Sequence, residues 1–239
     1  MLYIIGLGLN DERDISLKAA DAMRSCDEIY CEFYTNKWNG SMEALEEIAG
    51  KSISLIDREK TESQFLVERA KECVVALLVP GDPLSATTHF QLLADCRKRD
   101  VHAKIVHSSS VLTAIAETGL DLYKFGRTTT LPKGFDPQSP HDMIKENKSS
   151  GLHTLVLLDI GMTAKEGLEL MIKHDSISGG DMVVACFSLG SDGQKLIYAA
   201  AEHIIKDGTG ITPCCIAVPG KLNEKEMEFI ESWKTSRMR

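Results

Sequence analysis

The stretch Leu77 to His89, LLVPGDPLSATTH, joins an apolar run to a tight acidic turn and then to a helical pattern. Val74 to Val79 shows no polar alternation, which suits a strand covered on both faces of its sheet. Pro80-Gly81-Asp82-Pro83 stops that strand, and Ser85-Ala86-Thr87-Thr88 is expected to start a helix bearing Phe90, Leu92, Leu93 and Ala94. A loop leaving the end of a buried strand is where α/β proteins place ligands, so Asp82 is the first residue to test. Its carboxylate could engage a cationic or hydroxyl-rich ligand, or hydrogen-bond the turn that carries it.

Toward the N-terminus the same alternation of strand and helix repeats. Tyr3-Ile4-Ile5 reads as a buried strand ending at Gly6-Leu7-Gly8-Leu9, and a helix fits Ile15 to Ser25 with Asp14 as its cap. Gly6-x-Gly8 lacks the third glycine of a dinucleotide fingerprint. Asp11, Glu12 and Asp14 would set carboxylates where a pyrophosphate needs amides, so the glycines serve close backbone approach to another ligand or to another strand. Glu28 to Phe33 and Ile53 to Ile56 read as strands, Ser41 to Ala49 as a helix stopped by Gly50, and Thr61-x-x-Gln64 as a capping box ahead of Phe65 to Ala70.

Toward the C-terminus, Ala103 to His107 is the next strand, and Ser108-Ser109-Ser110 can cap the helix that Val111, Leu112, Ile115 and Ala116 begin, whether or not anything binds there. Gly126, Pro132, Gly134, Pro137 and Pro140 interrupt the pattern, which places a domain boundary after Leu122 and divides the chain into residues 1–122 and 123–239. The second half is expected to hold a helix from Asp136 to Asn147, a strand from Thr154 to Ile160, a helix from Lys165 to Lys173 and a strand from Met182 to Phe187. A helix from Ala199 to Lys206, a strand from Cys214 to Val218 and a helix from Glu224 to Trp233 complete it.

Composition narrows the classes of function. The 239 residues are 43% hydrophobic and 26% charged, as in a globular α/β protein, and a formal charge of -8 disfavours a general nucleic-acid binder. No apolar run approaches the roughly 20 residues that span a bilayer, and Leu2 to Ile5 is too short for a signal peptide, so no membrane partner and a cytoplasmic location are expected. The seven cysteines form no CxxC pair and read as reduced thiols, and the seven histidines form no HExxH or His-x-His cluster, so no metal site is expected. Serine-nucleophile and triphosphate chemistry lack their motifs as well. Residue physics thus arrives at a two-domain α/β ligand-binding protein whose loops at Gly8, Asp82 and Ser110 could converge, without naming the ligand.

The same stretches carry a resemblance. MLYIIGLGLNDERDIS at the start, EFYT (Glu32 to Thr35), PGDPLSATTH (Pro80 to His89), IVHSSSV (Ile105 to Val111), GLDLYKFG (Gly119 to Gly126), GLHTLVLLDI (Gly151 to Ile160) and VPGKL (Val218 to Leu222) together resemble the diphthine synthase family, the diphthamide-biosynthesis methyltransferases of the tetrapyrrole-methylase-like class. The resemblance implies two α/β domains with a cofactor cleft between them, a homodimer, and S-adenosyl-L-methionine as methyl donor with S-adenosyl-L-homocysteine as product. It implies translation elongation factor 2 as protein substrate, trimethylated on the amino group of its aminocarboxypropyl-modified histidine to form diphthine. Leu9, Asp82, Ser85, Ser110, Val111, Leu158, Leu189 and Cys214 fall at the family's cofactor-contact positions, with Asp82 the main polar anchor. Histidine is common in relatives where Cys214 stands, and a thiol is a poor acceptor, so a backbone contact could replace that side chain. Ser85 and Leu189 are variable positions and imply backbone or packing contacts. No catalytic acid or base is assigned, since methyl transfer from a sulfonium needs chiefly alignment. A related methyltransferase acting on a tetrapyrrole or other small molecule is the alternative enzyme. A noncatalytic cofactor sensor or elongation-factor-binding module is the alternative of another class.

Overall fold

The computed structural model describes residues 1–234, and its chain forms two compact units that divide at Val111 and Leu112. The first unit contains β1 (Leu2–Gly6), α1 (Leu17–Ser25), β2 (Glu28–Cys31), α2 (Met42–Ala49), β3 (Ser54–Leu55), α3 (Arg58–Glu62), α4 (Phe65–Glu72), β4 (Val75–Val79), α5 (Phe90–Lys98) and β5 (Ala103–Val106). Its sheet is entirely parallel, in the order β3-β2-β4-β1-β5. In register, Leu2 lies opposite Val75 and Gly6 opposite Val79, so the two central strands end side by side.

All five residues of β4 are buried, as its unbroken apolar run requires. The pleat sends them alternately to two cores. Ala76 and Leu78 join Ala19, Met23 and Leu45 of α1 and α2 on one face. Val75, Leu77 and Val79 join Leu66, Val67 and Ala70 of α4 with Leu92 and Cys96 of α5 on the other. Fully burying a side chain such as Leu77 contributes about 1.5–3 kcal/mol.

Three local expectations in this unit are corrected. Ser16, not Asp14, caps α1, accepting from the Ala19 N–H at 3.1 Å, because Asp14 is already committed to the Asn10 N–H at 2.7 Å. The capping box at Thr61 and Gln64 does not form. Asp57 caps α3 through the Lys60 N–H, Thr61 sits inside that helix, and Gln64 precedes α4 without a side-chain cap. Residues 85–88 remain a turn and α5 begins only at Phe90, since Ala86 at φ +58° leaves the helical region.

The second unit contains β6 (Thr129–Leu131), β7 (Thr154–Leu158), β8 (Met182–Phe187), β9 (Lys195–Ala200) and β10 (Cys214–Val218) in the order β6-β7-β10-β8-β9. Only β6 and β7 pair in parallel, and the other three pairings are antiparallel. The short α6 (Val111–Ala114) carries the division, and α7 (Ser139–Ser149), α8 (Ala164–Lys173), α9 (Ala201–Asp207) and α10 (Glu224–Ile230) belong to this unit. Ile144, Leu168, Met171, Phe187, Ile197 and Ile216 are among its core.

The division precedes the expected boundary after Leu122. The segment that follows Val111 is tied inside the second unit: Asp121 N–H donates to Glu226 at 3.0 Å, Gln194 donates to Glu117, and Gly119 abuts Phe229. Composition alone could not register those contacts. A second correction is β9, where a helix was expected to start at Ala199. Pairing with β8 from Lys195 opposite Phe187 to Ala200 opposite Met182 holds these residues extended, and tertiary pairing outweighs the helix propensity of alanine. Among the described residues no helix is long and apolar enough to cross a membrane, and the seven cysteines are free thiols.

Candidate functional site

In the first unit, the loops after β1, β4 and β5 meet at the carboxyl ends of adjacent parallel strands. Gly8 and Gly81 form an isolated bridge, with the Gly81 N–H donating to the Gly8 carbonyl at 2.8 Å. Gly6 allows this approach, because a Cβ there would lie 2.5 Å from the Gly81 carbonyl oxygen and 2.7 Å from Ser108 Cβ. The glycine pair therefore serves backbone approach between loops. Gly81, at φ +71°, has nothing nearer to its Cβ position than the Ser109 carbonyl oxygen at 4.0 Å, so the surface beside it is open to a ligand.

Asp82 ties the loop after β4 to the loop after β5. Its Oδ1 accepts from the Leu84 N–H at 3.0 Å and from the Ser85 hydroxyl at 3.2 Å, while Oδ2 accepts from His107 Nδ1 at 2.8 Å and the Ser108 N–H at 3.2 Å. Burial raises the pKa of such a carboxyl, but the Leu84 amide, His107 and the Ser108 amide outweigh it and hold Asp82 below the usual carboxylate range. A carboxylate offers about four lone-pair sites, and protein donors use them here. Asp82 thus hydrogen-bonds the turn that carries it and fixes the adjoining loop after β5.

The other first-unit positions fall around this knot. Leu9 is half-buried just past the Gly8 bridge, and Ser85 is half-buried on Asp82. Ser110 is buried immediately before α6, whose first residue is Val111. Glu32 is a neighbour that spacing did not single out. It is fully buried past β2 and accepts from the Tyr34 N–H at 2.9 Å and the Thr35 N–H at 3.1 Å, with the Thr35 hydroxyl also on it at 2.5 Å. His89 Nε2 lies 3.6 Å from Glu32 Oε1 and 3.5 Å from the Tyr34 hydroxyl, so the ends of LLVPGDPLSATTH and EFYT touch. Burial raises the Glu32 carboxyl, against the lowering by its Thr35 and Tyr34 donors. Those two motifs could have suggested the contact only if read as a pair.

In the second unit, Leu158 ends β7 and packs where a Cβ on Gly167 would meet its Cδ2 at 2.6 Å, so its side chain belongs to the margin of the core. Leu189 is buried in the turn after β8, beyond Ser188, whose N–H donates to the Pro213 carbonyl at 2.9 Å. The Cys214 thiol donates to the Met162 carbonyl at 3.4 Å, and burial, with Cys215 beside it, pushes that thiol up to about 12. It is therefore a neutral, internally satisfied group, and its backbone in β10 is what it can offer a ligand.

Comparison with known proteins gives this arrangement its context. Residues 1–204 match the model of the tetrapyrrole (corrin/porphyrin) methylases. Diphthine synthase of Methanothermobacter thermautotrophicus is 41% identical over 96% of this chain and 94% of its own, and that of Methanococcus maripaludis strain C5 is 38% identical over 97% and 98%. The chain belongs to the diphthine synthase branch of the tetrapyrrole methylases. A crystal structure of diphthine synthase superposes with a TM-score of 0.92 at 35% identity, covering 98% of this chain and 96% of that one. As a member of this branch, the chain is a methyltransferase of two α/β units, and the parallel-strand ends just described lie within the span of the methylase match.

Proposed function

We propose that the chain uses S-adenosyl-L-methionine to trimethylate the amino group of the aminocarboxypropyl-modified histidine of translation elongation factor 2, giving diphthine. The observation that carries this reading is the near-complete coverage of diphthine synthases by a chain whose loops after β1, β4 and β5 are joined through the Gly8–Gly81 bridge and the Asp82 carboxylate. We assign cofactor contact to Leu9, Asp82, Ser85, Ser110 and Val111 in the first unit and to Leu158, Leu189 and Cys214 in the second. The open surface beside Gly81 and the preformed loop connections fit an amino-acid ligand that approaches main chain closely.

Bound there, the sulfonium supplies an electrophilic methyl group. Asp82 holds the loops in their binding shape before the ligand arrives, so little ordering is left to complete on binding. Glu32 holds the Tyr34 and Thr35 amides in the adjacent turn, fixing the wall next to that loop. Leu158 and Cys214 present main chain and apolar surface, which excludes water without offering a competing nucleophile, since the thiol is held neutral. The substrate amine must arrive unprotonated, and alignment rather than a dedicated acid is the chain's contribution. The reading includes a cytoplasmic homodimer without direct nucleic-acid or membrane contact.

Intact-mass analysis of elongation factor 2 carrying the precursor side chain, after incubation with this protein and the cofactor, tests the reaction. Successive additions ending at three N-methyl groups support it. No mass addition, with a methylated tetrapyrrole or other small molecule formed instead, would overturn the substrate. A fourth, base-labile methyl would overturn the endpoint.

A further inference from the structure

The second unit brings together three side chains that are scattered in sequence. Asp136 lies in the loop after β6, His141 in the first turn of α7, and His174 just past α8. One ligand atom from each lies within 4.8 Å of the others. His141 is fully buried, and its Nε2, 3.5 Å from Asp136 Oδ1, is a buried atom without a hydrogen-bond partner. The two imidazoles stack at 4.1 Å between ring centres, with 12° between their planes.

The hydrogen bonds behind the rings set their orientation. The Ser176 hydroxyl donates to the Met171 carbonyl at 2.8 Å, so toward His141 its oxygen accepts from Nδ1–H at 3.0 Å. Gln138 spends its amide nitrogen on Asp142 at 2.9 Å, which turns its oxygen to accept from His174 Nδ1–H at 3.2 Å. Both Nε2 atoms face the Asp136 carboxylate: that of His174 hydrogen-bonds to it at 2.7 Å, and that of His141 lies 3.5 Å away without a hydrogen bond. The fully buried His141 Nε2, aimed at this carboxylate and without a partner, is the atom a bound cation would satisfy. Lys173 Nζ reaches Asp136 Oδ2 at 2.7 Å from the exposed side, but it does not partner His141 Nε2.

We propose that Asp136, His141 and His174 form a divalent-metal site, selective for Zn2+, with Ser176 and Gln138 orienting the imidazoles. Two imidazole nitrogens and one carboxylate oxygen are a borderline donor set, and hydrogen-bond acceptors on Nδ1–H are the usual companions of metal-bound histidine. Zn–N and Zn–O bonds of about 2.0–2.1 Å need the stacked imidazoles to rotate until both Nε2 atoms face one point, and His174 and Lys173 to give up their bonds to Asp136. Lys173 is free to do so, with its side chain 65% exposed. Beside the cluster lies an open depression of about 470 Å³ whose walls include Pro132, Gly134, Glu166 and Lys173, from which water can fill the fourth position. The metal pins the loop after β6 to α7 and α8. This site is a property of the second unit alone and does not depend on the methyl-transfer reading.

The test is calorimetric titration of Zn2+ into the untagged, chelator-treated, full chain, with Co2+ absorption spectra reporting the donor set. One equivalent should bind, with a tetrahedral Co2+ spectrum free of thiolate charge-transfer bands. His174→Ala and Asp136→Asn should each weaken binding at least ~10-fold. Lys173→Ala should tighten it by removing the competing ammonium. Circular dichroism verifies that each variant is folded, and His174→Gln replaces His174→Ala if the latter is not. No stoichiometric binding, equal binding in both ligand variants, or a thiolate band that assigns the metal to the free cysteines would each overturn the proposal.

Discussion

Asp82 in the first unit and Glu226 in the second are both buried carboxylates that take main-chain N–H groups and one imidazole, yet their surroundings differ. The histidine on Asp82, His107, has a side chain 68% exposed, and its loops end parallel strands. The histidine on Glu226, His153, is fully buried and donates from Nε2 at 2.9 Å while its Nδ1 accepts from the Gly220 N–H at 2.8 Å. Glu226 also accepts from the Asp121 N–H at 3.0 Å, the Asn223 N–H at 2.8 Å and Lys124. The same chemistry thus closes the fold in one place and shapes a loop with an exposed partner in the other. What separates the two is whether solvent, and therefore a ligand, can reach the partners.

Glu226→Ala should produce the largest effect. Removing one partner from a buried network leaves the Lys124 charge and several amides unmatched, at a cost of about 3–5 kcal/mol, read by urea denaturation. Cofactor affinity of the folded variant should be unchanged. If affinity fell with stability, the separation of roles would fail.

Acid titration of stability comes next. Burial raises the Glu226 carboxyl, but Lys124, the Asn223 and Asp121 amides and His153 outweigh it and bring it down to about 2. A folded value below the unfolded one stabilises the protein fully above the unfolded value, and that stabilisation is lost as pH falls from near 4 toward 2. The contribution is on the order of 3 kcal/mol, and Glu226→Gln should flatten this part of the stability curve. A curve of unchanged slope in the variant would assign the acid limb to other carboxylates.

Asp82→Asn should cost less stability, about 1–3 kcal/mol, because its partners can turn to water. His107→Gln should have the smallest effect, within roughly 1 kcal/mol in stability, since exposed ion pairs contribute little. A collapse of stability in His107→Gln would show that the exposed histidine closes the fold after all.

The pleated core of the first unit was legible because β4 is apolar at every position and its flanking helices carry single stripes. The turn at Pro80 to Pro83, and Asp82 within it, were legible for the same local reason. What escaped depended on distant partners. β9 is strand only through its ladder with β8, the segment after Val111 is held by Glu226 and Gln194, and Glu32 gains meaning only when His89 comes within 3.6 Å. The Asp136, His141 and His174 group escaped because its members meet across a loop and two helices, a juxtaposition that local motif spacing does not encode. The ligand and reaction came from family resemblance, since the loops' physics describes a binding shape and not the molecule that fills it.

Calorimetric titration of S-adenosyl-L-methionine into Asp82→Ala, paired with single-turnover methylation at saturating cofactor, addresses the central claim that this carboxylate organises the binding loops. The expected result is cofactor affinity reduced at least ~10-fold, equivalent to about 1.4 kcal/mol, with a saturated rate close to the parent's. Unchanged affinity with a collapsed saturated rate would contradict the account and place Asp82 in the chemical step.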